Sequence, residues 1–206
     1  MWKVTKLGDV CTIVNGSTPL RTEKRYWTNG KVLWFTIEDM RKQGRDINYT
    51  IQKVTKAAVE EKKVRLVPKD SVLLCCTASI GEVAISRAQM ATNQQFNALT
   101  PISNVITTEY LYYFALTLKK KLFKVSGSTT INFVSMSKLK EFTIALPSLE
   151  EQQRIVDKLD SAFAEIDDAK NCNEVNLKNI EIFKQTILSN CLKEKIKKNL
   201  PLSKVI

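Results

Sequence analysis

The sequence predicts an α+β protein, with a globular body of mixed strands and helices followed by one long coiled-coil helix. Short β-rich runs bounded by Gly, Pro, Asn or charged residues recur through the first part of the chain, which indicates strands and loops. Neither Gly nor Pro occurs between Pro147 and Pro201, so a helix of up to roughly 48 residues is permitted there. We therefore expect a body at residues 1–147, a long helix at 148–198 and a C-terminal tail at 199–206.

The body is expected to contain one clear helix, over residues 107–122. Thr107 or Thr108 caps it, Glu109 lies in its first turn, and lysines end it. The β-rich runs occupy residues 32–40, 71–81, 83–89 and 142–147. Glu38 and Asp39 are adjacent in the first run, and a strand would point them to opposite sides, which is a poor arrangement for one metal site.

The long helix has a well-defined start and a coiled-coil pattern. Ser148 is a candidate N-cap and Glu151 stands three residues on, which together form a capping box, so the helix should begin near Leu149. Its apolar residues are spaced alternately by four and three, with two Asn at core positions in the middle that would fix register at a cost in stability. The predicted seam consists of Ile155, Leu159, Ala162, Ile166, Ala169, Asn173, Asn176, Ile180, Phe183 and Ile187.

An amphipathic helix lying along its own domain is the alternative explanation of this pattern. A helix of this length extends about 70 Å, however, and a single small domain covers only part of it. We therefore expect a partner helix.

The positive charge is confined to the body. Residues 1–147 contain 22 Lys and Arg against 11 Asp and Glu, whereas residues 148–206 contain 10 of each. A net charge of +11 on one domain attracts polyanions, either nucleic acid phosphates or anionic membrane. Because no apolar run reaches transmembrane length and no signal-peptide core follows Met1, we expect a cytoplasmic protein without a membrane partner.

Cysteine and histidine usage excludes several kinds of site. The five cysteines have no C-x-x-C spacing, so neither a disulfide framework nor a zinc site is indicated, and a reducing compartment fits best. The chain has no His, which excludes every catalytic scheme built on imidazole. No Gly-rich phosphate loop is present either. We therefore predict no catalytic residues, no metal and no cofactor.

Five segments together resemble one half of the specificity subunit of type I restriction-modification enzymes. They are "WKVTKLGDV" at 2–10, "NGSTPLRTEKRYWTNGKVLWFTIEDM" at 15–40, "TASIGEVAI" at 77–85, "NQQFNAL" at 93–99 and "LPSLEEQQRIVDKL" at 146–159. Each motif alone is degenerate, but their order and spacing cover nearly the whole chain. Members of this family usually carry two target recognition domains and two spacer helices in one chain, whereas this chain has one of each.

The resemblance implies a role in DNA recognition without catalysis. The body would be a target recognition domain that reads double-stranded DNA, and the long helix would pair in an antiparallel coiled coil. The chain lacks the "NPPY" or "DPPY" tetrapeptide of amino-methyltransferases, so methylation and cleavage would belong to the methyltransferase (modification) subunit and the restriction subunit. A homodimer formed through the helix would complete the two-domain set and read a bipartite target.

Two basic stretches are the first candidates for DNA contact. In "STPLRTEKRYW", Arg21 and Arg25 can pair with guanine or with phosphate, and Lys24 supplies mainly a point charge. Tyr26 and Trp27 are expected in the core. The alternative is a solvated loop. The second stretch, "MRKQGRDINYT", should follow a strand, and Gln could read adenine there, although exposed polar loop residues are usually only solvated. Its candidates are Arg41, Lys42, Gln43 and Arg45.

Further candidates come from three polar segments and a lysine cluster. Small hydroxyls and amides can contact bases or the backbone, and lysines near a helix end can form a phosphate patch. Turn architecture, with hydroxyls bonding local backbone groups, is the alternative for the hydroxyls of "TASIG". These candidates are Thr77, Ser79, Gln94, Gln95, Lys121, Ser128, Thr129 and Asn132.

Two other functions fit the same composition. One is a stand-alone basic DNA-binding module with a dimerisation helix, unrelated to restriction. The other is an interaction protein of a membrane-associated or nucleoprotein assembly. Co-purification with a methyltransferase subunit separates the restriction-modification role from both, and sedimentation with anionic vesicles tests the last.

Overall fold

The structure, a computed structural model, describes residues 2–77, 79–125 and 134–199. The chain divides into two compact units, Met1–Val156 and Asp157–Ile206. The first unit contains the strands and the short helices, and residues 157–199 of the second unit are helical. The predicted fold class is confirmed.

The described chain has eleven strands and seven α-helices, most of them short. The strands are β1 (Lys3–Lys6), β2 (Cys11–Asn15), β3 (Val32–Phe35), β4 (Asp46–Ile47), β5 (Gln52–Val54), β6 (Leu66–Val67), β7 (Val72–Cys75), β8 (Val83–Ser86), β9 (Met90–Thr92), β10 (Phe96–Pro101) and β11 (Thr143–Leu146). The helices are α1 (Leu7–Val10), α2 (Ile37–Gln43), α3 (Lys56–Glu60), α4 (Thr108–Thr117), α5 (Lys119–Val125), α6 (Met136–Lys140) and α7 (Leu149–Asn199).

Two sheets and one strand pair form the body. The five-stranded sheet has the order β2-β10-β7-β8-β4, the four-stranded sheet has the order β5-β3-β9-β6, and β1 pairs with β11. Alternation along β3 sends neighbouring side chains to opposite faces. Phe35 packs into one buried cluster, with its ring centroid 4.7 Å from that of Phe96. Trp34 packs into another with Tyr26 and Val54, so the four-stranded sheet lies between two cores.

The prediction of a strand over residues 32–40 was wrong in its second half. β3 ends at Phe35, and α2 begins at Ile37. The Asp39 carboxylate accepts a hydrogen bond from the Thr36 backbone N–H (2.8 Å), which satisfies a donor at the start of the helix. Glu38 and Asp39 therefore lie in a helical first turn, and the argument that placed them on opposite sides of a strand fails. The basic residues that follow belong to a helix and its C-terminus instead of a loop after a strand.

The other element predictions were closer. The predicted helix at 107–122 is two helices, α4 and α5, separated at the buried Leu118. The Thr107 hydroxyl caps α4 by accepting a hydrogen bond from the Tyr110 backbone N–H (3.3 Å). The runs at 71–81, 83–89 and 142–147 contain β7, β8 and β11 respectively. Seven other strands were not predicted.

The long helix begins at Leu149, as predicted, although only half of its predicted capping box forms. The Ser148 hydroxyl accepts a hydrogen bond from the Glu151 backbone N–H (3.3 Å). The Glu151 carboxylate instead pairs with the Arg154 guanidinium at 2.7 Å, and this hydrogen bond lowers the pKa of Glu151. The partly buried Glu151 carboxylate thus pairs with Arg154, one turn further along the helix, instead of with the backbone N–H of Ser148.

The apolar residues in the later part of α7 are exposed to solvent. Every residue from 161 to 191 is exposed, including Ile180 and Phe183, which are 62% and 66% exposed. Ile155 and Leu159, at the start of the predicted seam, are partly buried. Residues 200–206, which include most of the predicted tail, lie outside the described residues.

Candidate nucleic-acid interface

Several polar loops meet at one end of the two sheets, where β2, β3, β7 and β9 end and β10 begins. The strand registers pair Asn15 with Asn97, Cys75 with Phe96, and Phe35 with Thr92. Backbone hydrogen bonds then join the segments beyond these ends: Gly16 N to Phe96 O (3.0 Å), Ser17 N to Thr92 O (2.9 Å), Asn93 N to Phe35 O (3.1 Å) and Cys76 N to Gln95 O (2.9 Å). We call the segments 16–27, 36–45 and 93–95, together with Thr77 and residues 79–82, the strand-end surface.

Glycine makes the close approach at this end possible. A Cβ atom at Gly16 would collide with the Asn93 carbonyl and with the Thr92 hydroxyl and carbonyl. Because backbone atoms cannot move aside cheaply, only glycine lets the segment after β2 lie against the turn between β9 and β10. The Thr18 hydroxyl then donates a hydrogen bond to the Gln94 side chain. The structure thus brings Gln94 beside the first basic loop.

Arg21 lies on an aromatic platform in this loop. Its guanidinium carbon is 3.8 Å from the centroid of the Trp27 ring and 4.7 Å from that of Trp34. Its Nη1 donates a hydrogen bond to the Gln52 side-chain carbonyl (2.7 Å). Both indoles are themselves held, because Trp27 Nε1 donates to the Leu20 carbonyl and Trp34 Nε1 donates to the Ser17 carbonyl, each at 3.1 Å. The positive charge is held in place with no carboxylate partner in the part of the chain that the structure describes.

Arg25 has a different environment from its neighbours. Its guanidinium donates to both oxygens of Glu61 (2.9 and 3.1 Å) and to Glu23 (3.0 Å). Tyr26 is buried, as predicted, and its hydroxyl donates to Glu61 at 2.6 Å, a hydrogen bond that raises the pKa of the phenol. Lys24 is exposed. Sequence alone could not reveal this ion pair, since Glu61 lies 36 residues from Arg25 in the chain.

Helix α2 contributes the second group of candidates. Arg41 and Lys42 are exposed in its last turn. The Gln43 amide is occupied: Nε2 donates to the Tyr49 carbonyl (2.9 Å), and Oε1 accepts from the Asn48 N–H (3.0 Å). Gln43 therefore orders the loop after α2, a role that no sequence signal indicated. Whether it also contacts adenine stays a prediction.

One segment links the Arg21 loop to α2. The buried Asp39 carboxylate accepts a hydrogen bond from the Ile51 backbone N–H (2.7 Å), while the next residue, Gln52, binds Arg21. Residues 48–52 are thus fastened at both ends, to α2 and to the first basic loop. The two basic stretches, which are about twenty residues apart in the sequence, belong to one region of the surface.

A groove of about 450 Å³ opens beside α2 and brings together Arg41, Arg45 and Ser79. The Arg45 guanidinium carbon is 4.8 Å from the Tyr112 ring centroid and 5.3 Å from that of Tyr113. Arg45 Nη1 also approaches the Tyr113 hydroxyl (3.4 Å). Two tyrosines of α4 therefore contact Arg45. The sequence pattern did not predict this contact.

The remaining candidates divide into three groups. Thr77 and Ser79 are half-buried in the turn between β7 and β8, and Gln95 accepts a hydrogen bond from the Asn93 side chain (3.0 Å). Lys121 is exposed on α5, whose first residue, Lys119, pairs with Glu82 of that turn (3.3 Å). Ser128, Thr129 and Asn132 lie outside the described residues. The chain is described again at Val134, whose N–H donates to the carbonyl of Cys76 (3.1 Å), the residue that precedes Thr77 of the strand-end surface.

Two other features bear on what this region can do. Across residues 2–77, 79–125 and 134–199, no group of three or more His, Cys, Asp or Glu side chains is arranged to hold a metal ion. Over the same residues, no helix combines the length and apolar character needed to cross a bilayer. Beside the carboxylates of Glu23, Glu38, Asp39 and Glu82, the described surface carries cations, amides and hydroxyls, the groups that contact nucleic acid.

Known proteins share both the sequence pattern and the fold. The family model of the type I restriction modification DNA specificity domain matches residues 1–177. The chain is 36% identical over 193 residues to the type I restriction enzyme MjaIX specificity subunit of Methanocaldococcus jannaschii, covering 89% of this chain and 43% of the relative. It is 30% identical over 172 residues to the EcoprrI specificity subunit of Escherichia coli, covering 77% and 42%.

Solved structures agree on the fold. A chain from a study of complex assembly and conformational transition of the type I R-M system superposes with a TM-score of 0.75 at 22% identity, covering 91% of this chain and 45% of that one. The HsdS subunit of Thermoanaerobacter tengcongensis gives a TM-score of 0.62 at 21% identity, covering 83% and 39%. This chain spans less than half the length of the relatives that it matches. With most of its length matched, it belongs to the family of type I restriction modification DNA specificity domains.

Proposed function

We propose that this chain is the DNA-recognition half of a type I restriction-modification specificity subunit. The body would read one half of a bipartite double-stranded target, and α7 would join it to a second copy that reads the other half. The observation that carries the proposal is the convergence of separate polar loops at the strand-end surface. Loops held on rigid strand ends are where binding residues concentrate, and the body has a net charge of +11.

The surface has the composition of a DNA reader. Exposed cations such as Lys24, Arg41 and Lys42 suit phosphate contacts, which position a protein without reading sequence. Amides and a fixed guanidinium, such as Gln94 and Arg21, suit the donor and acceptor edges of bases. The same end of the sheets therefore offers both classes of contact that specific recognition needs.

Catalysis in this proposal belongs to other subunits. The relatives from M. jannaschii and E. coli are named specificity subunits, and this chain has neither a His nor the tetrapeptide of amino-methyltransferases. The methyltransferase and restriction subunits would be its partners, with the chain bringing them to a target. The chain itself would transfer no methyl group and cleave no DNA.

The exposed face of α7 supports pairing with a second copy. A two-fold interface uses the same patch on both partners, and the seam from Ile155 to Ile187 offers such a patch. Its residues beyond 160 are exposed throughout.

The polar centre of the seam selects one antiparallel register. In an antiparallel pair of identical helices, the numbers of two facing seam residues add up to the same total along the whole interface. Each possible register has its own total, and only one register places Asn173 opposite Asn176 of the second copy. That register also places Ile166 opposite Phe183, and small Ala169 opposite large Ile180. Asn thus meets Asn instead of an apolar side chain, and the seam residues on either side of the Asn pair meet apolar partners.

Reconstitution tests the function. The purified chain alone, with S-adenosylmethionine and genomic DNA, should transfer no methyl groups, whereas the chain mixed with its modification subunit should direct methylation to a defined motif. The modification subunit without the chain is the control. Robust methylation by the chain alone, or methylation by the subunit that is indifferent to the chain, would overturn the proposal.

A further inference from the structure

Five of the candidate arginines and lysines in the two basic stretches are exposed. They differ in how firmly neighbouring groups hold the side chain. Arg21 is fixed on three sides, by the faces of Trp27 and Trp34 and by the hydrogen bond to Gln52. A guanidinium stacked on an indole keeps its charge, and its plane is set by the ring. Only one of its five N–H donors is used by Gln52, so the others remain for a ligand.

Arg25 provides the contrast within the same loop. Two carboxylates, Glu23 and Glu61, occupy its guanidinium and neutralise its charge. Binding DNA through Arg25 would require breaking this ion pair, whereas Arg21 gives up nothing to bind. Among the described residues no carboxylate pairs with Arg21.

Arg21 also lies where a DNA-contacting residue is expected. Gln52, its hydrogen-bond partner, is opposite Trp34 in the β3–β5 pair, one residue before β3 ends at Phe35. Arg21 therefore belongs to the end of the sheets where the other candidates meet. Leu20 beside it is 64% exposed, so the loop tip reaches into solvent.

A fixed planar donor is suited to reading a base edge. A phosphate accepts hydrogen bonds from many directions, so a flexible lysine serves it well. Guanine presents O6 and N7 as two acceptors in one plane in the major groove, and a guanidinium that is already oriented pairs with both at little entropic cost. On the strength of the proposed function, we infer that Arg21 is a specificity-determining residue that reads one guanine of each half-site, with Trp27, Trp34 and Gln52 as its positioning residues.

The test uses the complex of this chain with its modification subunit and duplexes that carry its modified motif. Each guanine is replaced in turn by 7-deazaguanine, which keeps base pairing but lacks the N7 acceptor. At one guanine in each half-site, the replacement should weaken binding of the parent complex at least about fivefold. The Arg21→Ala complex should bind the duplex with ordinary guanine less tightly than the parent complex does, by about the same factor. Replacing that guanine by 7-deazaguanine should not weaken its binding further.

Two variants control for charge and for folding. Arg25→Ala should keep the parent's response to 7-deazaguanine, since Arg25 is committed to Glu61. Arg21→Lys keeps the charge but loses the oriented planar pair of donors, so its response to 7-deazaguanine should be smaller than the parent's while its salt dependence stays that of the parent. It also serves as the test variant if thermal unfolding shows that Arg21→Ala does not fold.

The outcomes separate this inference from the proposed function. If Arg21→Ala weakens every duplex equally and lowers the salt slope by about 0.9, Arg21 contacts phosphate and the inference is wrong, while DNA recognition by the chain stands. A parent complex that responds to no 7-deazaguanine would also overturn it. If the parent complex modifies no motif, the proposed function fails and takes this inference with it.

Discussion

The Gln152 side chain accepts a hydrogen bond from the backbone N–H of Thr107 at 2.9 Å. Its Nε2 donates to the carbonyls of Val105 (3.0 Å) and Pro147 (3.1 Å), and the side chain is fully buried. One amide in the first turn of α7 thus satisfies three backbone groups, including a donor just before α4. It fastens the start of the long helix to the body.

Replacing Gln152 should therefore be costly. Gln152→Ala removes the hydrogen-bond partner of the Thr107 N–H and of two carbonyls, one of them buried, and we expect a loss of about 2 kcal/mol in the free energy of unfolding. Urea unfolding followed by circular dichroism measures it. The matched control is Gln153→Ala, at an exposed neighbour, which should change stability by less than about 0.5 kcal/mol. Equal stability of the two variants would contradict the role assigned to Gln152.

The long helix was the most predictable element. Its start followed from Ser148 and the absence of Gly and Pro, which are local signals. The extent of β3 was predicted less well, because "VLWFTIEDM" looks β-rich and the helix that begins at Ile37 is only seven residues long. The Thr36 and Asp39 spacing was the available signal, since it places a capping acid three residues after a threonine.

The candidate site was predictable in composition but not in arrangement. Basic loops could be located from the sequence, whereas the commitment of Arg25 to Glu61 and the stacking of Arg21 on Trp27 depend on how distant segments pack. Arg45 beside Tyr112 is a similar case, because α4 lies some 67 residues further along the chain. Tertiary contacts of this kind have no local sequence signature.

The buried thiols offer a direct check of the core. Burial raises the pKa of Cys11 to about 12 and that of Cys76 to about 11, and it also raises the pKa of Cys75. Below these values the reactive thiolate is scarce, so at pH 8 only the exposed Cys172 and Cys191 should react with a disulfide reagent. We expect two reactive thiols per native chain and five in urea. Rapid labelling of four or five in the native protein would contradict the packing around β7.

The salt dependence of DNA binding tests the phosphate contacts. Lys24, Arg41 and Lys42 are exposed cations without a carboxylate partner among the described residues. Changing all three to Ala should lower affinity and flatten the slope of log K against log salt by about 0.9 for each phosphate that the variant no longer binds. The measurement is titration of a labelled duplex at several salt concentrations.

Arg25→Ala is the control for this experiment. Because Glu61 and Glu23 already neutralise Arg25, its removal should change the slope less than the removal of any one of the three exposed cations. If Arg25→Ala flattened the slope most, or the triple variant kept the parent's slope, DNA would bind elsewhere on the body.

The α7 seam makes a specific prediction about association. Ile180→Asp places a charge within the proposed interface, opposite Ala169 of the second copy, and should convert the dimer to a monomer while the body stays folded. Gln185→Asp introduces the same charge at an exposed position off the seam and should leave the dimer intact. Sedimentation at micromolar concentration distinguishes the two. A parent chain that sediments as a stable monomer would overturn the homodimer.

Cysteine crosslinking tests the antiparallel register. In a background with Cys172 and Cys191 changed to Ser, Asn173→Cys and Asn176→Cys should crosslink when the two variants are mixed, and neither should crosslink with itself. Parallel helices would give the opposite pattern, because each position would then face its own copy. The mixture and the separate variants are compared on a non-reducing gel.

The most direct test of the central claim is the methylome of a cell in which this chain is the only specificity chain, expressed with its modification subunit. We predict a modified motif with two identical half-sites in inverted orientation around an unread spacer, present only when the chain is present. A motif with two unrelated halves would contradict the pairing of two copies. A methylome that does not change when the chain is deleted would contradict its role as the reader of the target.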